Sequence, residues 1–150
     1  MKIIARNKKA FHDYEVLEKC EAGIELRGTE VKSIRAGRIN LLDSYALCIN
    51  GELFLHHMHI SPFEQGNIFN HDPYRKRKLL LHRKESARLA CDVEKRHLTL
   101  IPLTVYFKDK WVKVELGLCK GRKRYDKRQK IAADESKRRL ANVMKESRRY

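Results

Sequence analysis

The chain has 150 residues, enough for one domain with a tail, and a chain of that size buries roughly two-thirds of its unfolded surface. Thirty-four Lys and Arg against 19 Asp and Glu leave a formal charge of +15, a field that draws phosphate chains or anionic membranes. The membrane reading is weak: no apolar run approaches the ~18 residues of a spanning helix, and no amphipathic segment has a broad bulky apolar face.

Met1-Lys2-Ile3-Ile4-Ala5-Arg6 turns charged too early for a signal peptide. Asn7-Lys8-Lys9-Ala10 then forms a short basic lead-in. Phe11 to Leu26 reads as strand, turn, strand, with the turn at Glu21-Ala22-Gly23. Beyond Gly28, Thr29 is the expected N-cap of a short helix that holds Glu30 in its first turn and ends at Gly37 as its C′ residue. Lys32 and Arg35 lie on its exposed side, with Arg38 just past it.

Ser44-Tyr45-Ala46-Leu47-Cys48-Ile49 and Glu52-Leu53-Phe54-Leu55-His56-His57 flank Asn50-Gly51, the pair that a type I′ hairpin turn selects. His57 and His59 fall on one face of the second strand, but a metal needs further ligands and none is near, so no metal site is expected. Ser61 to Arg77 reads as a long polar loop. His71 beside Asp72 suits loop ordering or RNA contact better than catalysis, because no nucleophile or metal box surrounds it. Arg75-Lys76-Arg77-Lys78 before Leu79-Leu80-Leu81 is either a phosphate-facing ridge anchored by buried leucines or a solvated charged edge.

His82 to Arg96 is the longest helix expected. Strands follow over His97–Phe107 and Trp111–Cys119, joined by a turn at Lys108-Asp109-Lys110, with Pro102 at an edge or bulge. Trp111, Val114 and Leu116 are expected in the core and its rim. Cys20, Cys48, Cys91 and Cys119 lie far apart without a C-x-x-C pair, which argues for reduced thiols in a cytoplasmic protein.

Residues 120 to 150 carry thirteen Lys or Arg against four acids, +9 of the +15. From Ala133 the spacing is helical, with Leu140, Val143 and Met144 near one face. So narrow an apolar stripe does not offset the entropy of ordering the chain, so the tail is expected to be disordered alone and helical against a polyanion. A solvated tail that only aids solubility is the rival reading. Periodicity by itself supports a small, mainly antiparallel β domain of about six strands with two or three helices over residues 1–120, and a basic tail over residues 121–150; short hairpin-joined strands suit a small closed barrel, of which the oligonucleotide-binding type is a natural fit.

Gly28-Thr29-Glu30-Val31-Lys32-Ser33-Ile34-Arg35-Ala36-Gly37, Asp43-Ser44-Tyr45 and Asn70-His71-Asp72-Pro73 carry a resemblance. So do Arg77-Lys78-Leu79-Leu80-Leu81-His82, Lys113-Val114-Glu115-Leu116, and Lys120-Gly121 with Tyr125-Asp126-Lys127-Arg128. In this order and spacing, from Asn7 onward, they resemble the SmpB family of bacterial SsrA-binding proteins. The resemblance implies an oligonucleotide-binding-type barrel that holds the tRNA-like domain of transfer-messenger RNA (tmRNA) and serves trans-translation on stalled ribosomes. No enzyme activity and no cofactor are expected, and a monomer is.

By the same resemblance Asn7, Glu21 and Leu80 belong to the RNA-gripping surface. The neighbouring Lys8, Lys9, His12, Lys32, Arg35, Lys78, Arg83 and Lys120 complete the expected RNA-binding set. Glu21 either meets a basic side chain or nucleobase amino group, or is structural. Gly121 is the implied hinge. Beyond it Lys123, Tyr125, Asp126, Lys127, Arg128, Lys130, Arg138, Arg139, Val143 and Met144 are the implied contacts with the small ribosomal subunit, in its decoding centre and messenger channel. A ribosomal-protein-like rRNA binder would share the basic tail. A nuclease built on His71 and Asp72 would lack the carboxylate cluster a metal-assisted cut needs.

Overall fold

The computed structural model describes residues 1–63, 71–121 and 135–145. In chain order the elements are β1 (Lys2–Arg6), α1 (Lys8–Asp13), β2 (Tyr14–Ile24), α2 (Gly28–Arg35), β3 (Ile39–Asn40), β4 (Tyr45–Ile49) and β5 (Glu52–His56). Then come β6 (His59–Ile60), β7 (Arg77–Leu80), α3 (Arg83–Arg96), β8 (Thr99–Lys108) and β9 (Trp111–Gly121). Residues 135–145 form a further helix, α4.

The main sheet runs β1-β8-β4-β5-β7-β2-β9, and a β8–β9 pairing closes six of its strands into an antiparallel barrel, with β1 added on the edge of β8. Beside it β3 and β6 form a two-stranded ribbon. This is the small antiparallel barrel expected of the pattern. Inward positions alternate as the pleat requires: Ala22 and Ile24, Leu53 and Leu55, and Val112, Val114, Leu116 and Leu118 all lie in one core. Ile34 of α2 and Leu89 of α3 enter the same core. A second, smaller cluster packs Ala10 of α1 against Ile101, Leu103 and Cys119 on the other face of the β8–β9 hairpin.

Local chemistry sets the corners. Asn50 and Gly51 have φ of 52° and 81°, the two left-handed residues of a type I′ turn, and the β4–β5 register runs from Tyr45↔His56 to Ile49↔Glu52. Gly37, at φ 75°, closes α2 in a Schellman arrangement, with Arg38 N–H donating to the Ser33 carbonyl and Gly37 N–H to that of Ile34. Pro102 sits at a bulge of β8 opposite β9, which accommodates its missing N–H.

Five local expectations are corrected. Phe11 to Asp13, expected to open a strand, instead lie in α1, which Asn7 caps. Glu21-Ala22-Gly23 is no turn: β2 runs straight through, because paired strands on both sides hold it extended. Thr29 lies inside α2, whose N-cap is Arg27. His57 and His59 do not share a strand face, since β5 ends at His56 and His57 turns through φ 61°. Trp111 is 64% exposed at the hairpin tip, beneath Lys110 Nζ at 5.8 Å from its ring, while Val114 and Leu116 are core as expected.

The Arg75–Lys78 cations prove to be a mixed set. Arg77 is fully buried and pairs through Nε with Glu30, itself fully buried, while Nη1 donates to the Met58 carbonyl at 2.7 Å and Nη2 to that of Pro73 at 3.2 Å. Arg75 donates to the other Glu30 oxygen at 2.5 Å, and that oxygen also accepts the Arg27 N–H at 2.9 Å. Two of the four cations are therefore spent inside the protein, and the expected ridge is reduced to Lys76 and Lys78. Burial alone would raise the Glu30 pKa, but the hydrogen bonds from Arg75, the Arg27 amide and Arg77 outweigh it and hold the group below its ordinary 4.5.

A depressed carboxyl contributes stability that is complete above its ordinary pKa and is lost as pH falls through the lower folded value. Urea unfolding as a function of pH should thus show an acid limb below about pH 4.5 that Glu30→Gln flattens. Glu30→Ala, which strands a buried guanidinium, should lower stability by about 3–5 kcal/mol at pH 7.

Candidate nucleic-acid interface

The residues expected to bind RNA fall into three places. The first is α1 and its surroundings. Asn7 is buried, its Oδ1 accepts from Ala10 N–H at 3.2 Å, and its Nδ2 donates to the carbonyls of Pro102 at 3.1 Å and Leu41 at 3.3 Å. Both side-chain polar atoms of Asn7 are engaged inside the protein, where they set the start of the helix. Lys8 and Lys9 are exposed on α1, Lys9 lying 3.3 Å from Asp43, and His12 is 2.9 Å from Asp13. A cleft of about 380 Å³ opens between α1 and the start of β4, lined by Asn7, Lys9, Asp43 and Tyr45. Because Tyr14 pairs with Gly121 and Glu15 with Lys120, the exposed Lys120 and the start of the tail lie beside this end of β2.

The second place is the far end of β2. Nine residues at about 3.3 Å each separate Tyr14 from Gly23, so these surfaces stand roughly 30 Å apart. Here a groove of about 690 Å³ gathers Glu21, Lys78, Leu80 and Arg83, all four expected from sequence, with Gly23 and Lys113, which were not. Leu80 is 50% exposed, while its neighbour Leu79 is core. Lys78 pairs with Glu52 at 3.2 Å. Glu21 accepts a hydrogen bond from the Tyr106 hydroxyl and lies 3.6 Å from Lys108 Nζ. The Tyr106 bond, aided by Lys108 and Lys113, outweighs the opposing effect of burial and holds the Glu21 carboxyl below its ordinary value. Burial of Tyr106, with Glu21 beside its hydroxyl, raises the phenol in turn.

The third place is α2, where Lys32 lies over Phe63 at 5.4 Å and Arg35 over Phe107 at 5.8 Å, both with exposed side chains. Gly121 is the exposed last residue of β9. Lys123, Tyr125, Asp126, Lys127, Arg128 and Lys130 lie outside the described residues. Arg138, Arg139, Val143 and Met144 are on α4, where every residue is exposed, Val143 and Met144 sharing a face with Leu140 at the expected spacing.

His71 is buried. Its Nε2–H donates to the Ile60 carbonyl at 2.8 Å, which leaves Nδ1 to accept from the Thr29 hydroxyl at 3.1 Å. It orders the loop against α2 and faces no substrate. Among the described residues no group of three His, Cys, Asp or Glu could hold a metal ion, no cysteine is bridged, and no helix is long and apolar enough to cross a membrane.

Sequence reasoning missed Lys113 and Gly23 as parts of the groove, and Tyr106 as the hydrogen-bond partner of Glu21. Strand alternation through Val105-Tyr106-Phe107 was the available signal for Tyr106, whereas the other two depend on which strands become neighbours.

A closed antiparallel barrel with cationic surfaces, together with an exposed basic helix over residues 135–145, defines an oligonucleotide-binding-type module. The SmpB protein family profile matches residues 4–146, and the chain belongs to that family. It is 57% identical over 144 residues to the SsrA-binding protein of Carboxydothermus hydrogenoformans, covering 96% of this chain and 97% of that one. It is 55% identical over its full 150 residues to the SsrA-binding protein of Halothermothrix orenii, of which 97% is covered. Among solved structures it is similar to a chain described as "tmRNA-SmpB: a journey to the center of the bacterial ribosome", with a TM-score of 0.69, 50% identity, and coverage of 83% of this chain and 87% of that one.

The geometry separates helix-setting from contact within the first surface. Asn7→Ala should lower stability by about 1–3 kcal/mol, through the lost cap and two stranded carbonyls. Lys8→Ala should leave the thermal midpoint within about a degree while weakening RNA binding, as heat denaturation and filter binding would show.

Proposed function

We propose that this protein binds the tRNA-like domain of tmRNA through the barrel, delivers it to stalled ribosomes, and so allows the incomplete peptide to be tagged for degradation. The observation that carries this reading is the division of the positive charge. One part is fixed on a closed barrel, and another is on a helix, residues 135–145, whose side chains are all exposed. A rigid barrel suits folded RNA, which is read through shape and phosphate contacts. A segment rich in Lys and Arg with a narrow apolar face suits the walls of the empty messenger channel in the small subunit, where rRNA phosphates neutralise it.

On this reading Lys8, Lys9, His12, Lys32, Arg35, Lys78, Arg83 and Lys120 meet the RNA, along with Glu21 and Leu80, on a domain comprising residues 1–120. Residues 121–150 form the tail, with Gly121 as the hinge between them. Tyr125 and Arg128 approach the decoding centre, and Val143 and Met144 pack the helix against the channel. The protein acts as a monomeric binding factor in the bacterial cytoplasm, contributing position and charge to the complex and no catalytic group.

Removal of residues 122–150 should leave affinity for the tRNA-like domain within about twofold and abolish tagging in a reconstituted translation system. A severe loss of RNA affinity would refute the division. If the tail meets about eight phosphates, its contribution to ribosome affinity should fall with log salt at a slope of about −6, by the single-strand coefficient. Arg128→Ala should spare RNA binding and slow tagging; an unchanged tagging rate would remove it from the decoding centre.

A further inference from the structure

An apolar groove follows the first half of β2. The register with β9 shifts between Val16 and Glu18, so Leu17 has no partner across the ladder and is 41% exposed at the bulge. Phe11 of α1 joins Val16 and Leu17 to line a groove of about 610 Å³. Its floor is continuous with the smaller core, because Phe11 and Val16 pack on Ala10, Leu103 and Cys119. Glu15 and Glu18 stand at its rim. Glu18 is held by Arg88 at 2.6 Å, whereas Glu15 is exposed and in no ion pair among the described residues. Residues 13–21 carry four acids, Asp13, Glu15, Glu18 and Glu21, against the single Lys19, in a chain of formal charge +15. A strip of this sign repels a phosphate chain and attracts a cationic one.

The occupant that fits is amphipathic and basic, and the chain contains such an element in α4. Leu140, Val143 and Met144 are 63%, 64% and 56% exposed, and their i, i+3, i+4 spacing places them on one face. Lys137 and Arg139, three and four positions before Leu140 and Val143, flank that face. The dimensions agree as well. A helix over residues 135–145 is about 16 Å long, and β2 from Tyr14 to Lys19 runs about 16 Å. Gly121, where the barrel ends, pairs with Tyr14 at the mouth of the groove. The residues from 122 to 134 can reach about 45 Å when fully extended, far more than the groove requires. A contact within one chain also needs much less intrinsic affinity than the same contact between chains.

We propose that, away from the ribosome, α4 folds back onto the barrel, seating Leu140, Val143 and Met144 against Phe11, Val16 and Leu17 with its cations beside Glu15. Docking covers the apolar face of the helix and keeps its Lys and Arg from the first RNA encountered. A partner that offers many phosphates at once, at a site closed to the barrel's acids, draws the helix off. This latch goes beyond the tmRNA reading and stands or falls separately from it.

Nuclear magnetic resonance of the full-length protein, labelled at Leu, Val and Met methyl groups, reads the contact directly. At about 50 mM salt, where surface charges are weakly screened, nuclear Overhauser effects should connect Val16 or Leu17 with Leu140, Val143 or Met144. They should vanish with Leu17→Asp and with Glu15→Lys, which leaves the apolar groove intact. A helix docked about nine-tenths of the time loses about tenfold in affinity for anything else. Leu17→Asp should therefore bind poly(A) up to about tenfold more tightly than the parent, although it adds a negative charge. Should Leu17→Asp fail to fold, Val143→Asp breaks the contact from the helix side without touching the barrel, and takes both measurements. Absence of these methyl contacts in the parent protein would overturn the inference. So would their assignment to a second copy in an isotope-filtered mixture of labelled and unlabelled protein, or poly(A) affinity left unchanged or lowered by the variant. Each of those results leaves tmRNA binding by the barrel untouched.

Discussion

The ion network centred on Glu30 is the constraint on which the rest of the structure depends. One carboxylate receives Arg77 from β7, Arg75 from the loop before it, and the amide that starts α2. Arg77 in turn reaches the carbonyls of Met58 and Pro73. Elements far apart in the chain are thereby tied at one buried point, where a missing member leaves a charge with no solvent to accept it. A hydrophobic contact at the same place would tolerate sliding; a charged fork with fixed directions does not. That rigidity sets where β7 runs, and β7 carries Lys78 and Leu80 to the groove.

The same reasoning explains why an abundance of cations is a poor map of an RNA surface. Arg77 is invisible to any polyanion, Arg75 is mostly committed to Glu30, and Arg88 is engaged with Glu18 at 2.6 Å and Asp92 at 3.5 Å. What remains open to a phosphate chain is set by which acids folding brings alongside. Asn7 carries the same lesson in a neutral side chain, since its amide is spent on Ala10, Pro102 and Leu41 inside the protein.

Patterns that repeat within a few residues were legible in the sequence. The Asn50-Gly51 hairpin, the Gly37 closure of α2, the Pro102 bulge and the α3 helix all follow from local chemistry and period, whereas the closed barrel was expected on the resemblance. The β2 strand was misread because Gly23 carries a turn signal, and only pairing with β7 and β9 reveals that the missing side chain is needed for Leu80 to pass. The buried fate of Arg77 was equally hidden. Its sequence neighbours are cations, and the acid that neutralises it is 47 positions away. Four residues of the far groove, Glu21, Lys78, Leu80 and Arg83, were named in advance, but as charges and a resemblance; the groove's depth and the tyrosine behind Glu21 depend on strand order.

The pairing of β1 with the distal half of β8 has a practical consequence. Lys2 is opposite Phe107, next to the β8–β9 tip, whereas Gly121 leaves the barrel at the opposite end of the same hairpin, beside Tyr14. Some eight or nine residues of strand at about 3.3 Å each, roughly 30 Å, lie between the two points. That span is a built-in ruler: a donor dye at the first strand and an acceptor on the C-terminal helix would report each reorientation of that helix as a change in energy transfer, with the hairpin as the unbending reference.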